Sequence, residues 1–211
     1  MKVFRIMILS SMAVLLALTM AYALPNLDID FRTAAWSANG TTTKTVGNVT
    51  AISTPGIIYQ DTTDGLGVVD TIQNDEINVS EKITVVFSTA VNLTGVALTD
   101  IYAFGGLEDV TNPAGEYGQV QLFNGGSSLG VFTFNGTDAN NGVLNGELYR
   151  SFGGAIVGVT SAEFIVLPYN NVYRGNEYSV AGFTTSVPEP TTMLLLGFGL
   201  LGLAGVRRFR K

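Results

Sequence analysis

The chain contains no cysteine and no histidine among its 211 residues. Without cysteine the chain has no disulfide bonds and no thiol nucleophile. Without histidine it has no Ser-His-Asp triad, and without either residue it has no His/Cys zinc site. An exported domain of this composition must be held together by burial of apolar side chains or by a bound ion. Any catalysis would have to rest on carboxylates.

Basic residues are scarce between the chain ends. Six of the 11 lysines and arginines belong to the first five or the last five residues. Between residues 24 and 186, 5 Lys and Arg face 16 Asp and Glu, which gives a net charge of −11. Such a domain has no basic patch for nucleic acid and suits divalent cations. We therefore expect no nucleic-acid partner.

The first 23 residues have the three parts of a secretory signal peptide. Lys2 and Arg5 form a basic region, an apolar core runs from residue 6 to 20, and Ala21 and Ala23 form an A-x-A cleavage site. We expect the secretion machinery to export the chain and signal peptidase to cleave before Leu24. An uncleaved N-terminal anchor is the alternative.

The last 25 residues contain a proline motif, an apolar run and a basic end. Residues 187–190 form the motif, which should be extended and unable to join a sheet because proline lacks an amide hydrogen. The 14 apolar or glycine residues 193–206 would make a helix of about 21 Å, and flanking threonines and arginine stems extend its reach across a bilayer. We therefore predict a transmembrane helix at 191–206 and a basic stop at 207–211. The residues concerned are Val187, Pro188, Glu189 and Pro190 in the motif, and Arg207, Arg208, Arg210 and Lys211 in the stop.

This order of parts resembles the PEP-CTERM sorting tail of exported bacterial proteins, with Pro188-Glu189-Pro190 matching the motif. The resemblance implies recognition by exosortase, a membrane protease-transpeptidase, and cleavage near the motif. It also implies an exopolysaccharide-producing bacterium with a Gram-negative type of envelope. The protein would be anchored in the membrane before processing and would act at the cell envelope or the extracellular surface. A plain C-terminal anchor with a stiff linker is the alternative.

Short apolar runs in the middle of the chain predict β-strands. Ile83, Val85 and Phe87 alternate with more polar neighbours, and Asn124-Gly125-Gly126 predicts a hairpin turn. We predict one acidic domain at residues 24–186, an all-β antiparallel sandwich of jelly-roll type, with a barrel as the alternative. The polar, threonine-rich front at 26–54 would be a loose arm or edge strands. A linker is predicted at 184–190.

An acidic segment punctuated by glycine runs from residue 61 to 81. Its Gly65-Leu66-Gly67-Val68 stretch and the following acids resemble a segment of other exported domains with this tail. Several carboxylates on one loop could hold structural calcium, because hard cations take oxygen ligands. The candidate ligands are Asp70, Asp75, Glu76 and Glu81. The alternative is a solvated loop in which Asp and Asn cap turns.

Three functions fit these residues. We expect a structural or adhesive protein of the cell surface or biofilm matrix, without catalytic activity. The first alternative is a carbohydrate-binding module for exopolysaccharide, in which Trp36 is a candidate sugar-stacking ring. The second is a carboxylate-based glycoside hydrolase, which needs two acids facing each other across a cleft. The acids considered are Glu108, Asp109, Glu116, Glu147 and Glu163.

Overall fold

A computed structural model describes residues 24–37, 40–69, 76–103, 115–138, 146–168 and 176–186. These residues form ten β-strands and two short 3₁₀ helices, Ala34–Trp36 and Gly136–Asp138. The predicted antiparallel β fold is confirmed, whereas the predicted signal and transmembrane helices lie outside the described residues. Within those residues no helix is long and apolar enough to cross a membrane. The strands are β1 Ile29–Asp30, β2 Thr43–Val46, β3 Val49–Thr54, β4 Ile57–Asp61, β5 Gly65–Val69, β6 Lys82–Thr99, β7 Tyr117–Asn124, β8 Ser127–Asn135, β9 Leu148–Val166 and β10 Ser179–Thr185.

The strands form one hydrogen-bonded sheet in which the paired strands are antiparallel. The main order is β4-β5-β10-β6-β9-β7-β8, with β1 beside β10 and the β2–β3 hairpin beside β6. The front of the domain is therefore built into the sheet rather than a loose arm, with β1 and β2 at edges and β3 between β2 and β6. β7 and β8 form the predicted hairpin, with Asn124 opposite Ser127 and Gly125 at a φ of 56°.

The sheet has two halves, one with β2, β3, β7 and β8 and the other with β1, β4, β5 and β10. The long strands β6 and β9 run through both halves. The first half of β6 pairs with β3, where Val49 lies opposite Phe87, and its second half pairs with β10, where Val96 lies opposite Phe183. β9 accompanies β6 along most of this length, with irregular register between Val86 and Gly95. Bulges of this kind bend and twist a strand, which lets β6 take part in both halves.

The core brings the two halves into contact through aromatic rings. The ring of Phe183 on β10 lies 5.8 Å from that of Phe87 and 5.7 Å from that of Phe164, which belong to β6 and β9. Phe31 also contacts Phe183 at 5.9 Å and meets Trp36 edge to face at 4.7 Å. Phe183 and Phe164 are fully buried. This burial replaces the disulfide bonds that the sequence excludes.

Gly65 allows β5 to lie close against β10. Its φ of +110° is a conformation that side chains disfavour, and a Cβ atom built there would collide with the backbone carbonyl of Val180. Val180 is also the residue of β10 that pairs with Leu66. The glycine that the sequence singled out therefore serves strand packing.

Candidate functional site

The structure describes only part of the residues that the sequence singled out. The sorting motif 187–190, the basic stop 207–211, the cleavage-site residues Ala21 and Ala23, and the candidate ligands Asp70 and Asp75 all lie outside the described residues. Leu24, Glu76 and Glu81 lie within them. The signal-cleavage and calcium assignments therefore stay predictions.

Glu81 closes the turn that leads into β6. It is 4% exposed, and its Oε2 atom accepts the backbone N–H of Asn78 at 2.8 Å. In return the backbone N–H of Glu81 donates to the Asn78 carbonyl at 3.0 Å. The neighbouring Glu76 carbonyl accepts the N–H of Val68 on β5 at 3.3 Å. These contacts give Glu81 a turn-capping role, and the described residues contain no group of three or more Asp, Glu, His or Cys that could hold a metal ion.

The described part of the chain ends one residue after β10. Thr184 is buried at 9% exposure, and its hydroxyl contacts those of Thr94 and Tyr149, each at 2.8 Å. The N–H of Ser186 still donates to the Asn92 carbonyl at 2.8 Å. The prediction of a linker from residue 184 is therefore wrong for residues 184 and 185, because both belong to a paired and largely buried strand.

The first described residues line a groove of about 450 Å³ together with three charged side chains. Residues 24–27 form one wall, and Asp30, Arg32 and Glu147 contribute the charges. Arg32 and Asp30 form a two-pronged ion pair, with Nε–Oδ1 and Nη2–Oδ2 distances of 3.0 Å each. The favourable interaction between them raises the pKa of Arg32, which stays charged.

Glu147 lies at the same groove without an equivalent partner. Its Oε2 atom is buried and has no hydrogen-bond partner among the described residues. Burial raises the pKa of the Glu147 carboxyl, Arg32 and a backbone hydrogen bond from Leu24 oppose that rise, and Asp64 adds to it. The Asp-x-Arg spacing at 30–32 gave a signal in the sequence, since an aspartate beside a turn accepts the backbone N–H two residues on, as Asp30 does from Arg32 at 3.0 Å. Nothing local marked Glu147 as their neighbour.

Glu116 is the most deeply buried acid that the structure reveals. It is 2% exposed, and its Oε2 atom accepts the backbone N–H of Tyr102 at 2.6 Å. Burial raises the pKa of Glu116 to about 9, with repulsion from Glu177 and Asp100 adding to the effect and the hydrogen bond from Tyr102 opposing it. At neutral pH this carboxyl is therefore protonated and neutral.

The acids considered for glycoside hydrolysis have different surroundings. Glu116 is buried before β7, Glu147 lies at the groove before β9, and Glu163 on β9 forms a half-exposed ion pair with Lys82 at 3.1 Å. Glu108 and Asp109 lie outside the described residues.

The expectation that Trp36 is a surface ring for sugar stacking is wrong. Trp36 is 3% exposed and packs on Phe31 in the core. The large apolar side chains that are exposed in the described part of the chain are aliphatic. They are Leu129, Val131 and Val157.

The comparisons with known proteins concern the C-terminus. Residues 186–211 match the family model described as the PEP-CTERM protein-sorting motif. The comparisons with curated proteins and with solved structures give no match. The family match begins at Ser186, whose N–H makes the hydrogen bond to Asn92 just after β10 ends. The chain therefore carries a PEP-CTERM sorting tail directly after its β domain, which makes it an exported protein of the cell envelope that is membrane-anchored before processing and sorted by exosortase.

Proposed function

We propose that this protein is a structural or adhesive component of the cell surface or biofilm matrix, without catalytic activity. The main support is that the sorting tail follows the last strand of an acidic β domain whose described residues contain no candidate metal cluster. In this proposal the tail spans the membrane as a helix at 191–206 until exosortase acts, and the halves of the sheet form a jelly-roll-like sandwich. The host produces exopolysaccharide.

The position of β10 supports a protein held by its C-terminal end. Residues 179–184 of β10 are all buried, and the strand pairs with β6 on one edge and with β5 and β1 on the other. A force applied to the tail is therefore distributed over the hydrogen bonds that β10 makes with these neighbouring strands. Thr185 also donates its N–H to Asp28 at 2.6 Å, which ties the N-terminal segment to the same strand.

The described surface favours this proposal over sugar binding. Carbohydrate modules stack sugars on exposed aromatic rings, whereas the exposed large apolar side chains in the described residues are aliphatic. The buried Trp36 removes the leading stacking candidate. The acidic charge also makes direct binding of an acidic polysaccharide unfavourable, since like charges repel.

The first experiment is the intact mass of the protein from its native host, with and without exosortase. We expect a chain that starts at Leu24 and ends near the Pro188-Glu189-Pro190 motif only when exosortase is present. A chain ending at Lys211 in both strains would refute processing.

The second experiment addresses the role of the domain. Deleting the gene should reduce cell attachment or matrix cohesion, and the intact chain should restore it. The Pro188→Ala variant should restore less attachment or cohesion than the intact chain, because it should not be sorted correctly. Glycan-array binding by the purified protein, or unchanged attachment after deletion, would contradict the structural role.

A further inference from the structure

The Glu147 carboxylate lies at the groove that residues 24–27 line. Leu24 and Glu147 line the same groove, and a backbone hydrogen bond from Leu24 is among the influences that favour the charged form of the carboxylate. The Oε2 atom of Glu147 is buried and has no hydrogen-bond partner among the described residues. A buried carboxylate oxygen without a donor is costly, so a stronger donor than one amide N–H would be favourable at this site.

Cleavage before Leu24 would supply such a donor at the same atom. The reaction hydrolyses the peptide bond between Ala23 and Leu24 and changes the Leu24 nitrogen from an amide with one proton to an α-ammonium with three. With an ordinary α-amino pKa of about 7.7–8.0, the new group carries a positive charge at neutral pH. Its three N–H groups offer enough donors for both oxygens of a single carboxylate.

Among the charged groups around the groove, Glu147 is the one that can act as counter-ion to the new N-terminus. Arg32 is held by Asp30 through two hydrogen bonds, so the two charges largely cancel. Asp64 contributes a further negative charge near Glu147. The groove therefore has an excess of negative charge before cleavage, and one cation would balance the carboxylate.

We propose that Glu147 is a binding site for the chain's own new N-terminus: the α-ammonium of Leu24 forms an ion pair with the Glu147 carboxylate once the signal peptide is removed. The pair fixes residues 24–27 beside β1 and so completes the fold after export. This inference rests on the proposed export and on cleavage before Leu24. It gives the mature chain a stabilising contact that the precursor lacks.

The ion pair has a defined pH range. Facing the pair are Arg32, Asp30 and Asp64. The carboxylate raises the pKa of the Leu24 amine in the folded state, so the added stability is present below the ordinary α-amino pKa and is lost as pH rises through the raised value. In acid it is lost when Glu147 becomes protonated. The stabilisation should therefore be largest near neutral pH.

The test uses the full chain exported from cells and purified in mild detergent. Two glycines inserted between Ala23 and Leu24 leave the charge on the mature chain but move it away from Glu147. Each N-terminal form is made with Glu147 and with Glu147→Gln, and urea unfolding is measured near pH 7. We expect Glu147→Gln to raise the unfolding equilibrium constant about tenfold more in the native form than in the extended form, or about 1.4 kcal/mol of coupling.

Glu163→Gln is the matched control, because Glu163 pairs with Lys82. Its effect should be equal in both N-terminal forms. A Glu147→Gln effect that is also equal in both forms would overturn the proposal.

A second readout does not depend on the stability of the variants. Amine acylation should modify the Leu24 amine about tenfold more slowly than the glycine amine of the extended form, with Lys44 and Lys82 as internal references. Equal rates would also refute the ion pair. The N-terminal mass separately reports whether cleavage occurs before Leu24, so a wrong cleavage site is distinguished from a missing ion pair.

Discussion

Replacing Glu116 by glutamine is expected to stabilise the protein at neutral pH and to have little effect in acid. Glu116 is 2% exposed, and Tyr102 donates its backbone N–H to the carboxyl. Burial, with repulsion from Glu177 and Asp100, raises the pKa of Glu116 to about 9. Glutamine has nearly the same shape, can accept the same hydrogen bond and never ionises.

The size of the effect follows from the difference in pKa between the two states. The carboxyl ordinarily titrates near 4.5 but has a pKa of about 9 in the folded protein. A group whose pKa is raised on folding makes its full contribution to the free energy of unfolding at pH values below its unfolded pKa. This contribution is lost as pH rises through the folded pKa. From pH 4.5 to pH 7, at about 1.4 kcal/mol per pH unit, the loss is about 3 kcal/mol. The Glu116→Gln variant should not suffer this loss.

Urea unfolding at several pH values between 4.5 and 8 measures this difference directly. Trp36 is the only tryptophan and is 3% exposed, so its fluorescence should report unfolding. The free energy of unfolding of Glu116→Gln relative to the unmodified protein should increase steadily across this range. Because both proteins share every other titrating group, the difference isolates Glu116.

Glu163→Gln serves as the control for this series. Glu163 is half exposed and pairs with Lys82, so its replacement should change stability by at most about 1 kcal/mol. The reasoning would be refuted if the stability gap between Glu116→Gln and the unmodified protein did not widen between pH 4.5 and pH 7. A gap that narrowed would show that Glu116 is ionised in the fold.

Four further substitutions and one control test the packing, the turn and the tail. Gly65→Ala should lower the free energy of unfolding in urea by more than about 2 kcal/mol, because Gly65 has a φ of +110° and lies against the β10 backbone. Gly126→Ala is the control and should change the free energy of unfolding little, because Gly126 has open space around it. Phe183→Ala should cost about 3–5 kcal/mol by calorimetry, since the ring is fully buried against three other rings. Glu81→Ala should cost about 1–3 kcal/mol, equally with calcium or with a chelator, if the carboxylate only caps its turn. Pro188→Ala should leave the C-terminus at residue 211 in intact-mass analysis of cells that contain exosortase.

The tail shows how much a contiguous pattern can determine. Its proline motif, apolar run and basic end lie next to one another in the chain, and the family match at 186–211 confirms their identification. The β class was predictable for a similar reason, because strand alternation and the Asn124-Gly125-Gly126 turn are local signals. The missing cysteine and histidine excluded whole classes of chemistry without any structure.

The sites in the domain depended on distant residues and could not be read in the same way. Glu116, Glu147 and Glu163 look alike in the sequence, yet the first is buried, the second lines a groove with Leu24 and the third pairs with Lys82. Trp36 lies in a polar stretch, but Phe31 and the core cover it.

By itself the sequence determined the sorting tail, the acidic charge and the β class, because each of these depends on neighbouring residues or on composition. Only the tertiary structure decided that β10 lies between β6 and the strands β1 and β5, and that Leu24 and Glu147 line one groove. Strand neighbours are selected by which faces can be buried together across the whole chain, and the pKa of a carboxyl depends on the groups that this selection places around it.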